Sequence, residues 1–223
     1  MCGRFTLHTP ADTVAELFGL SEVPEWTPRY NLAPTQQVPT VRADGAERRR
    51  EFHALTWGLI PSWARDPKMG ARMINARAET VHEKPSFRAA FRQRRCLILT
   101  DGFYEWKRLE RGKQPHFIGM QDGRPFALAG LWEHWERPDA PPVDSCTIIT
   151  TEPNELLAPI HDRMPVILHE SVYDEWMDPT LRDVKRLGEL LRPFPPTRMR
   201  AYPISKFVNN PSSDGPECVE PLV

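Results

Sequence analysis

The second residue of the chain is a cysteine, and this position gives it two nucleophiles. Once Met1 is removed, as is usual before a small side chain, Cys2 presents an α-amine and a thiol on adjacent carbons. The amine titrates near ~8 and the thiol near ~8.5, so each is partly nucleophilic at neutral pH. The amine forms a Schiff base with an aldehyde, and the thiolate then closes a five-membered thiazolidine. A free cysteine is more often a small buried hydrophobe, so covalent chemistry needs support from elsewhere in the chain.

Glu105 is a second candidate because its carboxyl lies among aromatic residues. The predicted strand alternation places Glu105 on the same face as Phe103. Tyr104 and Trp106 take the opposite face. Burial among aromatic rings raises the pKa of a carboxyl and suits it to proton transfer. A structural partner such as a nearby arginine would explain the burial equally well.

Three more polar residues have both a chemical and a structural interpretation. His161 lies in a polar turn before an apolar strand, where a histidine either transfers protons or simply forms surface hydrogen bonds. The Asn75 amide can hold an amine without competing for protons, or it can organise a turn. Arg77 shares a face with Asn75 if the segment is extended, and it can then contact a phosphate.

The charge of the chain is nearly balanced overall but unevenly distributed. A formal net charge of −1 over 223 residues argues against a protein that coats nucleic acid through its overall field. Residues 61–100 hold nine Lys or Arg against three acidic residues, a formal +6. Residues 152–223 hold eight basic against twelve acidic residues, a formal −4. The first stretch can therefore face phosphate, although such arginines are also typical of a solvated helix face.

Strand and helix signals predict an α+β fold with a mostly antiparallel or mixed sheet. Thr9 and Pro10 indicate the N-cap and first turn of a short helix that ends near Gly19. No Gly-rich phosphate loop opens a helix, which argues against a nucleotide-binding α/β fold. Further helices are predicted at residues 86–93, 171–177 and 181–191, and strands at 52–59, 96–100, 103–106, 126–132, 147–151, 166–168 and 198–204.

Composition indicates one domain over residues 1–223, because the 24 prolines are dispersed and no internal repeat is visible. The first residues lack a signal-peptide pattern, and no segment approaches the roughly 18 apolar residues that cross a bilayer. We therefore expect a cytosolic protein with no membrane contact. The four cysteines include no C-x-x-C pair, so neither a zinc site nor a disulfide framework is predicted.

Six separated motifs carry a family resemblance. In chain order they are Met1–Phe5, Tyr30–Thr35, Trp57–Trp63, Asn75–Thr80, Asp101–Lys107 and His161–Pro165. Together they closely resemble the SRAP family, whose name means SOS response-associated peptidase. The resemblance implies a single α+β domain with a barrel-like sheet flanked by helices. It also implies binding of single-stranded DNA and trapping of abasic sites as a stable thiazolidine.

The resemblance assigns roles by motif match. Cys2 would be the nucleophile, and Asn75 would position its amine. Glu105 and His161 would transfer protons as the sugar ring opens. The chemistry fits, because an abasic deoxyribose is mostly a closed hemiacetal and a general acid/base must release its aldehyde. Residues matching the family's contacts to the DNA backbone and bases are Arg4, Arg77, Trp63, Asn31, Pro34 and Thr150.

We expect no metal or other cofactor, because the aminothiol itself supplies the covalent chemistry. The expected partner is single-stranded DNA that contains an abasic site. We expect a monomer in the bacterial cytoplasm, associated with the nucleoid when it is bound to DNA.

Three alternatives stand beside covalent capture. Cys2 could be the N-terminal nucleophile of a peptidase or amidase, although only Met1 precedes it and ordinary methionine removal suffices. The protein could be a non-covalent single-strand-binding module in which Cys2 is incidental. It could also be a lyase, because a Schiff base at the abasic carbon acidifies the neighbouring carbon and permits strand scission. Closing the thiazolidine removes that last route.

Overall fold

The computed structural model describes residues 2–44 and 48–222, and these residues form twelve strands and four α-helices. The helices are α1 (Ala11–Phe18), α2 (Arg88–Gln93), α3 (Tyr173–Met177) and α4 (Val184–Glu189). The strands are β1 (Phe5–Leu7), β2 (Arg29–Leu32), β3 (Gln37–Asp44), β4 (Arg49–Trp57), β5 (Asn75–Arg77), β6 (Arg95–Thr100), β7 (Gly102–Arg108), β8 (Lys113–Met120), β9 (Phe126–Arg137), β10 (Ala140–Thr151), β11 (Met164–Pro165) and β12 (Met199–Pro203).

Five of the strands close into a mixed barrel. The order β4, β3, β6, β9, β10 is antiparallel at each step. A parallel pairing of β10 with β4 then closes the barrel. This arrangement confirms the predicted α+β class with a barrel-like sheet.

The barrel strands are buried on both faces because each face meets a different layer. In β6, Leu97 and Leu99 pack with the buried faces of the four helices. The alternate residues Cys96 and Ile98 belong to a second core, which includes residues of all five barrel strands and also Cys2. Every residue of β6 is buried, as expected for a strand that is covered on both sides.

A second sheet holds the beginning of the chain against the barrel. Its order is β12, β8, β7, β1, β2, with antiparallel pairing throughout. Phe5 in β1 pairs with Phe103 in β7, and Tyr104 N–H donates to the Arg4 carbonyl at 3.0 Å. This register brings the first residues of the chain alongside the part of β7 that contains Glu105.

Strand β10 carries two further short strands outside the barrel. Strand β5 pairs with it in parallel, with Asn75 opposite Ile148. Strand β11 pairs with it antiparallel, with Pro165 opposite Thr150. One strand therefore places the segment of Asn75 and the turn of His161 at neighbouring positions.

Several predicted elements need correction. The first helix begins at Ala11 without a side-chain cap, because the Thr9 hydroxyl donates to the Asp101 carboxylate at 2.5 Å instead. The predicted strand 166–168 is displaced to β11, and Ile167 forms only an isolated bridge with Leu128. The predicted helix 181–191 shortens to α4, because Asp183 caps it by accepting hydrogen bonds from two backbone N–H groups.

No helix of the described part of the chain is long and apolar enough to cross a membrane.

Candidate active site

Cys2 lies inside the fold rather than on its surface. Its side chain is fully buried in the second core, beside Phe5 and Phe103. The Asn75 amide Nδ2 donates to the Cys2 carbonyl at 2.8 Å, which fixes the backbone of residue 2. Met1, whose removal the aminothiol chemistry requires, lies outside the described residues.

The Asn75 side chain has a second polar atom, the amide oxygen Oδ1. Asn75 Oδ1 is buried and has no hydrogen-bond partner among residues 2–44 and 48–222. A buried acceptor without a partner costs free energy, commonly about 1–3 kcal/mol. The amide therefore binds the Cys2 carbonyl with one atom and offers an acceptor with the other.

The environment of the Cys2 thiol differs from the sequence expectation. Burial raises the pKa of the Cys2 thiol well above its ordinary range, and the nearby Glu105 charge raises it further. Partial ionisation of the thiol after removal of Met1 stays a prediction, and burial in this environment favours the neutral thiol. A neutral thiol needs a base to take its proton before it can react.

Glu105 has the properties of such a base. It is 2% exposed, and its predicted face beside Phe103 is confirmed, with Tyr104 and Trp106 in a different cluster. Burial raises the pKa of Glu105 to about 7. At neutral pH the carboxyl is thus divided between its acid and base forms, which suits proton transfer in either direction.

His161 faces this carboxyl across a short gap. Its Nε2 lies 3.8 Å from Glu105 Oε2. Three groups lie close to His161 Nδ1: the Arg163 backbone N–H at 3.0 Å, the Asp162 carboxylate at 3.0 Å and the Arg163 carbonyl at 3.3 Å. Burial lowers the pKa of His161, which favours the neutral form. An imidazole nitrogen and a buried carboxyl therefore face the same space.

An ion pair that sequence reasoning missed holds the turn of His161 in place. The Arg163 guanidinium binds both oxygens of Glu79, at 2.6 and 2.9 Å. It also donates to the Thr150 carbonyl at 2.6 Å. The motifs that contain Asn75 and His161 are thereby joined directly. The signal was present, since Arg163 and Glu79 occur in the two motifs, but their pairing requires β5 and β11 to lie beside β10.

A cleft of about 660 Å³ opens beside Glu105 and His161. It provides space at the two proton-transfer candidates. Within the described parts of the chain, no group of three or more His, Cys, Asp or Glu side chains could hold a metal ion. The other residues that line the cleft are Trp106, Arg108, Lys113, Ala158, Pro159, Ile160 and Asp162.

Some predicted DNA-contact residues are accessible. Trp63 is 53% exposed and lines a cavity of about 630 Å³. Arg77 is exposed at the end of β5, and its strand places it on the same face as Asn75. Pro34 is half-buried in a turn, beside Thr35, whose φ of 71° is unusual for a β-branched residue. The cavity beside Trp63 is also lined by Arg65, Asp66, Lys68, Met69 and Arg72.

Other predicted DNA-contact residues lie inside the protein. Asn31 is fully buried; its Nδ2 donates to the carbonyls of Val208, Asn210 and Ser213. Thr150 is also fully buried. These positions indicate structural tasks for both residues, and their predicted contacts with DNA stay predictions.

Arg4 combines an internal and an external role. Its Nη1 donates to Asn31 Oδ1 at 2.8 Å and to the Val208 carbonyl at 2.9 Å. The same side chain lines a surface cavity.

The basic residues of the stretch 61–100 are likewise divided between buried and exposed positions. Arg95 is buried and donates to four backbone carbonyls, and Arg94 pairs with Glu133 at 2.8 Å. These two arginines stabilise the fold. The exposed basic residues of the stretch are Arg65, Lys68, Arg72, Arg77, Lys84, Arg88 and Arg92.

The fold and the site define a class of protein: a mixed β-barrel in which a cysteine at position 2 is grouped with an amide, a buried carboxyl and an imidazole. The model of the family described as SOS response associated peptidase (SRAP) matches residues 1–211, and the chain belongs to this family.

Two named proteins are similar to this chain over nearly its whole length. The chain is 48% identical over 224 residues to the abasic site processing protein YoqW of Bacillus subtilis, covering 99% of both chains. It is 31% identical to the abasic site processing protein HMCES of Rattus norvegicus, with 99% of this chain and 76% of the relative covered.

Solved structures share the fold. A crystal structure of a protein from Bacteroides thetaiotaomicron superposes with a TM-score of 0.89 at 28% identity, covering 100% of both chains. A phage-related protein from Bordetella bronchiseptica gives a TM-score of 0.71 at 30% identity, covering 91% of this chain and 94% of that one.

Proposed function

We propose that the protein captures abasic sites in single-stranded DNA through a covalent thiazolidine at Cys2. The observation that carries the proposal is the Asn75 amide, which binds the Cys2 carbonyl beside a buried carboxyl whose pKa is about 7. The names of the relatives supply the lesion, since YoqW and HMCES are abasic site processing proteins. With Met1 removed, the site would present an amine, a thiol and two proton-transfer groups to one aldehyde.

Opening of the sugar ring is the first step of the proposed reaction. The Glu105 carboxylate accepts the proton of the anomeric hydroxyl and passes it to the ring oxygen, whose departure is stabilised by a hydrogen bond from His161. The bond between the anomeric carbon and the ring oxygen breaks, and the aldehyde forms. A carboxyl with a pKa of about 7 suits this task because both of its forms are populated near neutral pH.

Covalent capture then takes place in two stages. The Cys2 amine adds to the aldehyde carbon, and loss of water gives an imine. The thiol adds to the imine carbon as its proton passes, through Glu105, to the imine nitrogen. The net reaction converts an aldehyde and an aminothiol into a thiazolidine and water. Ring closure removes the imine, so it competes with strand scission.

Asn75 would orient the amine for this attack. Its Oδ1 is a buried acceptor without a partner among the described residues, and the amide already binds the carbonyl of Cys2. An α-amine on Cys2 is a suitable donor for it. The amide cannot take up a proton at neutral pH, so it would hold the amine without removing its lone pair from the reaction.

We further propose that exposed groups hold the strand around the lesion. Arg77 would bind a backbone phosphate next to Asn75, and Trp63 and Pro34 would contact bases. Arg4 would contribute from the rim of its cavity. Asn31 and Thr150 would act indirectly, since Asn31 accepts a hydrogen bond from Arg4 and Thr150 lies opposite Arg77 in β5.

Intact mass measurement tests the proposal. The full chain is incubated with a single-stranded oligonucleotide that contains one abasic site, and the mixture is boiled in denaturant. We expect an adduct that lacks Met1 and one water, and we expect its loss in Cys2→Ala. Cys218→Ala removes another buried thiol and should retain the adduct.

Cys2→Ser separates capture from scission. This variant keeps the α-amine but lacks the thiol, so the imine should accumulate and cleave the strand or be trapped by borohydride. Absence of the boiling-stable adduct from a wild-type protein shown to have lost Met1 would overturn the proposal. In that case, retained DNA binding would indicate a non-covalent binding module, and cleavage of peptides that depends on Cys2 would indicate a peptidase.

A further inference from the structure

Three titratable side chains lie in a row from the interior of the protein to its surface. The side chains of Glu105, His161 and Asp162 are 3%, 25% and 88% exposed, and all three line the same cleft. His161 Nε2 lies 3.8 Å from Glu105 Oε2, and His161 Nδ1 lies 3.0 Å from Asp162 Oδ1. The imidazole therefore stands between a buried carboxyl and one that is in contact with solvent.

The proposed capture reaction has a proton to release from a buried site. An α-amine titrates near ~8, so at pH 7 about nine in ten such amines are protonated. An ammonium group has no lone pair, and the Cys2 amine must lose this proton before it adds to the aldehyde. The later steps release and consume no net proton, because an aldehyde and a neutral aminothiol give a thiazolidine and water. Capture therefore transfers close to one proton per adduct from the site to solvent.

Glu105 can receive this proton but has little contact with water. Its charge acts on Cys2, which places the carboxyl near the reacting groups. A pKa of about 7 allows Glu105 to accept a proton and then give it up near neutral pH. Because the side chain is almost completely buried, a second group has to take the proton from it. His161 Nε2 faces the carboxyl and lies nearer to the surface.

The surroundings of His161 Nδ1 suit both neutral forms of the imidazole. The Asp162 carboxylate and the Arg163 carbonyl can accept a hydrogen bond from a protonated Nδ1. The Arg163 backbone N–H can donate to an unprotonated Nδ1. The ring can therefore take a proton at Nε2 and lose one from Nδ1, and it has hydrogen-bond partners before and after the exchange.

Charges around His161 act on its protonation in opposite directions. Arg108 on β7 and Lys113 on β8 line the same cleft, and burial and the Arg108 charge both lower the pKa of His161. The Asp162 charge raises that pKa. The guanidinium of Arg163 is held by Glu79. Asp162 is therefore the group in the turn of His161 that stabilises the imidazolium.

We propose that Asp162 carries the proton released during capture out of the buried site. The proton passes from the Cys2 ammonium to the Glu105 carboxylate. It then moves from Glu105 Oε2 to His161 Nε2, while Nδ1 of the same ring gives its proton to Asp162 and so to water. Each transfer breaks one bond to hydrogen and forms another, and Glu105 is left as a carboxylate again.

Two features of the path follow from this chemistry. The 3.8 Å between the Glu105 and His161 atoms is longer than a hydrogen bond, and such contacts shorten when the substrate closes the site. One adduct requires one passage, so the imidazole can end in its other neutral form. Asp162 acts through His161 and is a positioning residue. The inference rests on the proposed function, but the contact between Asp162 and His161 requires no DNA.

Single-turnover capture in dilute buffer tests the proposal. The full chain reacts with a saturating single-stranded oligonucleotide that contains one abasic site. Asp162→Asn keeps the size of the side chain but accepts no proton, and we expect it to capture about ten-fold more slowly than the wild type. Added imidazole buffer, a mobile proton acceptor, should recover most of the lost rate and accelerate the wild type far less. Asp162→Glu keeps a carboxylate and should capture nearly as fast as the wild type.

Recovery by buffer separates loss of a proton acceptor from displacement of the turn. Glu155→Gln removes an exposed carboxylate from the turn before His161 and should capture at the wild-type rate. Capture by Asp162→Asn at the wild-type rate in dilute buffer would overturn the proposal. A slow rate that imidazole does not raise would also overturn it, because the variant would then have lost the geometry of the site.

Titration of the His161 ring, followed by NMR in the absence of DNA, tests the contact on its own. The pKa of His161 should be lower in Asp162→Asn than in the wild type and unchanged in Glu155→Gln. An equal pKa of His161 in the wild type and Asp162→Asn would overturn the proposal. Absence of capture by a wild type that has lost Met1, together with the lowered pKa in Asp162→Asn, would count against the proposed function instead.

Discussion

The carboxyl of Glu105 occupies a place where an ionised group is unfavourable. It is nearly completely buried, and its pKa is raised to about 7 because burial disfavours the charged form. In the folded protein the carboxyl therefore keeps its proton at pH values where the unfolded chain has lost it. The same displacement that suits Glu105 to proton transfer reduces the stability of the fold.

Replacement of this carboxyl gives a pH-dependent change in stability. Between its ordinary value of 4.5 and about 7, the folded state holds a proton that the unfolded state has released. The stability of the wild type therefore falls as pH rises through this window, by about 3 kcal/mol in total. We expect the free energy of unfolding of Glu105→Gln, relative to wild type, to rise by about this amount between about pH 4 and about pH 8.

Urea unfolding at several pH values measures this difference. Glu110→Gln removes an exposed carboxyl from the turn after β7 and serves as the control. If the difference between Glu105→Gln and wild type did not change with pH, Glu105 would titrate alike in both states. Its role as a proton-transfer group near neutral pH would then lose its physical basis.

The Asn75 amide gives a second prediction for a single residue. Asn75→Ala removes the hydrogen bond to the Cys2 carbonyl and leaves residue 2 less well placed. Misplacement of a reacting group by about 1 Å can cost about 100-fold in rate, and we expect a loss of this order in single-turnover capture. Gln121→Ala, at an exposed amide, should capture at the wild-type rate. Unchanged capture by Asn75→Ala would show that the amide does not position the amine.

At the residue scale, the sequence identifies the candidate residues but says little about their burial and contacts. The predicted face of Glu105 follows from strand alternation alone and is confirmed. The burial of Cys2, Asn31 and Thr150 depends on which strands become neighbours. The shift in the Cys2 thiol pKa and the arginine contact of Glu79 depend on that pairing too, so no local pattern contains them.

At the scale of elements, β10 brings the candidate site together. It pairs with β5 on the side of Asn75 and with β11 next to the turn of His161. The Arg163–Glu79 ion pair then joins these two short elements, and Arg163 is mostly buried while Glu79 is half exposed. Short strands hold few backbone hydrogen bonds of their own, so this side-chain contact is expected to control their mobility.

Glu79→Gln should loosen the turn of His161. It replaces a bidentate ionic contact with at most one hydrogen bond, from the guanidinium to an uncharged amide oxygen. We expect faster hydrogen exchange in residues 160–165 and no change in barrel strand β6. Glu175→Gln breaks a similar bidentate contact, with Arg186, and serves as the control. Identical exchange at residues 160–165 in both variants would mean that the ion pair does not hold the turn.

Gly58 at the end of β4 gives a prediction about the turn that leads to Trp63. Its φ is 131°, and a Cβ there would lie 2.6 Å from the Gly70 carbonyl oxygen. We expect Gly58→Ala to lower the free energy of unfolding by about 2 kcal/mol. Gly188→Ala, in α4 with open space around it, should raise that free energy by up to about 1 kcal/mol. Thermal unfolding of the two variants should therefore shift in opposite directions, and a shift in the same direction would contradict the prediction.

Three of the strands that the sequence patterns do not predict either contain a proline or are very short. Strands β3 and β8 contain Pro39 and Pro115, and a proline usually argues against a strand because it cannot donate a backbone hydrogen bond. Strand β1 has only three residues, too few to show a period. The predicted strands 126–132 and 147–151 lie within β9 and β10 but cover only part of each, and the closure of these strands into a barrel depends on long-range pairing.

At the scale of the whole molecule, DNA binding has to depend on local groups of basic side chains, because the formal net charge is only −1. The cavity beside Trp63 supplies one such local field through Lys68 and Arg72, and Arg77 lies exposed at the end of β5. The acidic C-terminal part adds charge of the opposite sign. The molecule should therefore approach a strand in a preferred orientation, with these basic groups toward phosphate.

Neutralisation of this basic surface should change the salt dependence of binding. We expect Lys68→Gln/Arg72→Gln/Arg77→Gln to reduce the slope of log K against log salt for single-stranded DNA by about 2, because three phosphate contacts are lost. The matched control replaces three basic residues at and around α4 and should leave the slope unchanged. At 0.1 M salt, charges that do not contact the strand are largely screened beyond about 10 Å, so the loss of net charge alone has little effect. Equal slopes in the two triple variants would show that total charge, rather than this surface, governs binding. The control variant is Arg182→Gln/Lys185→Gln/Arg192→Gln.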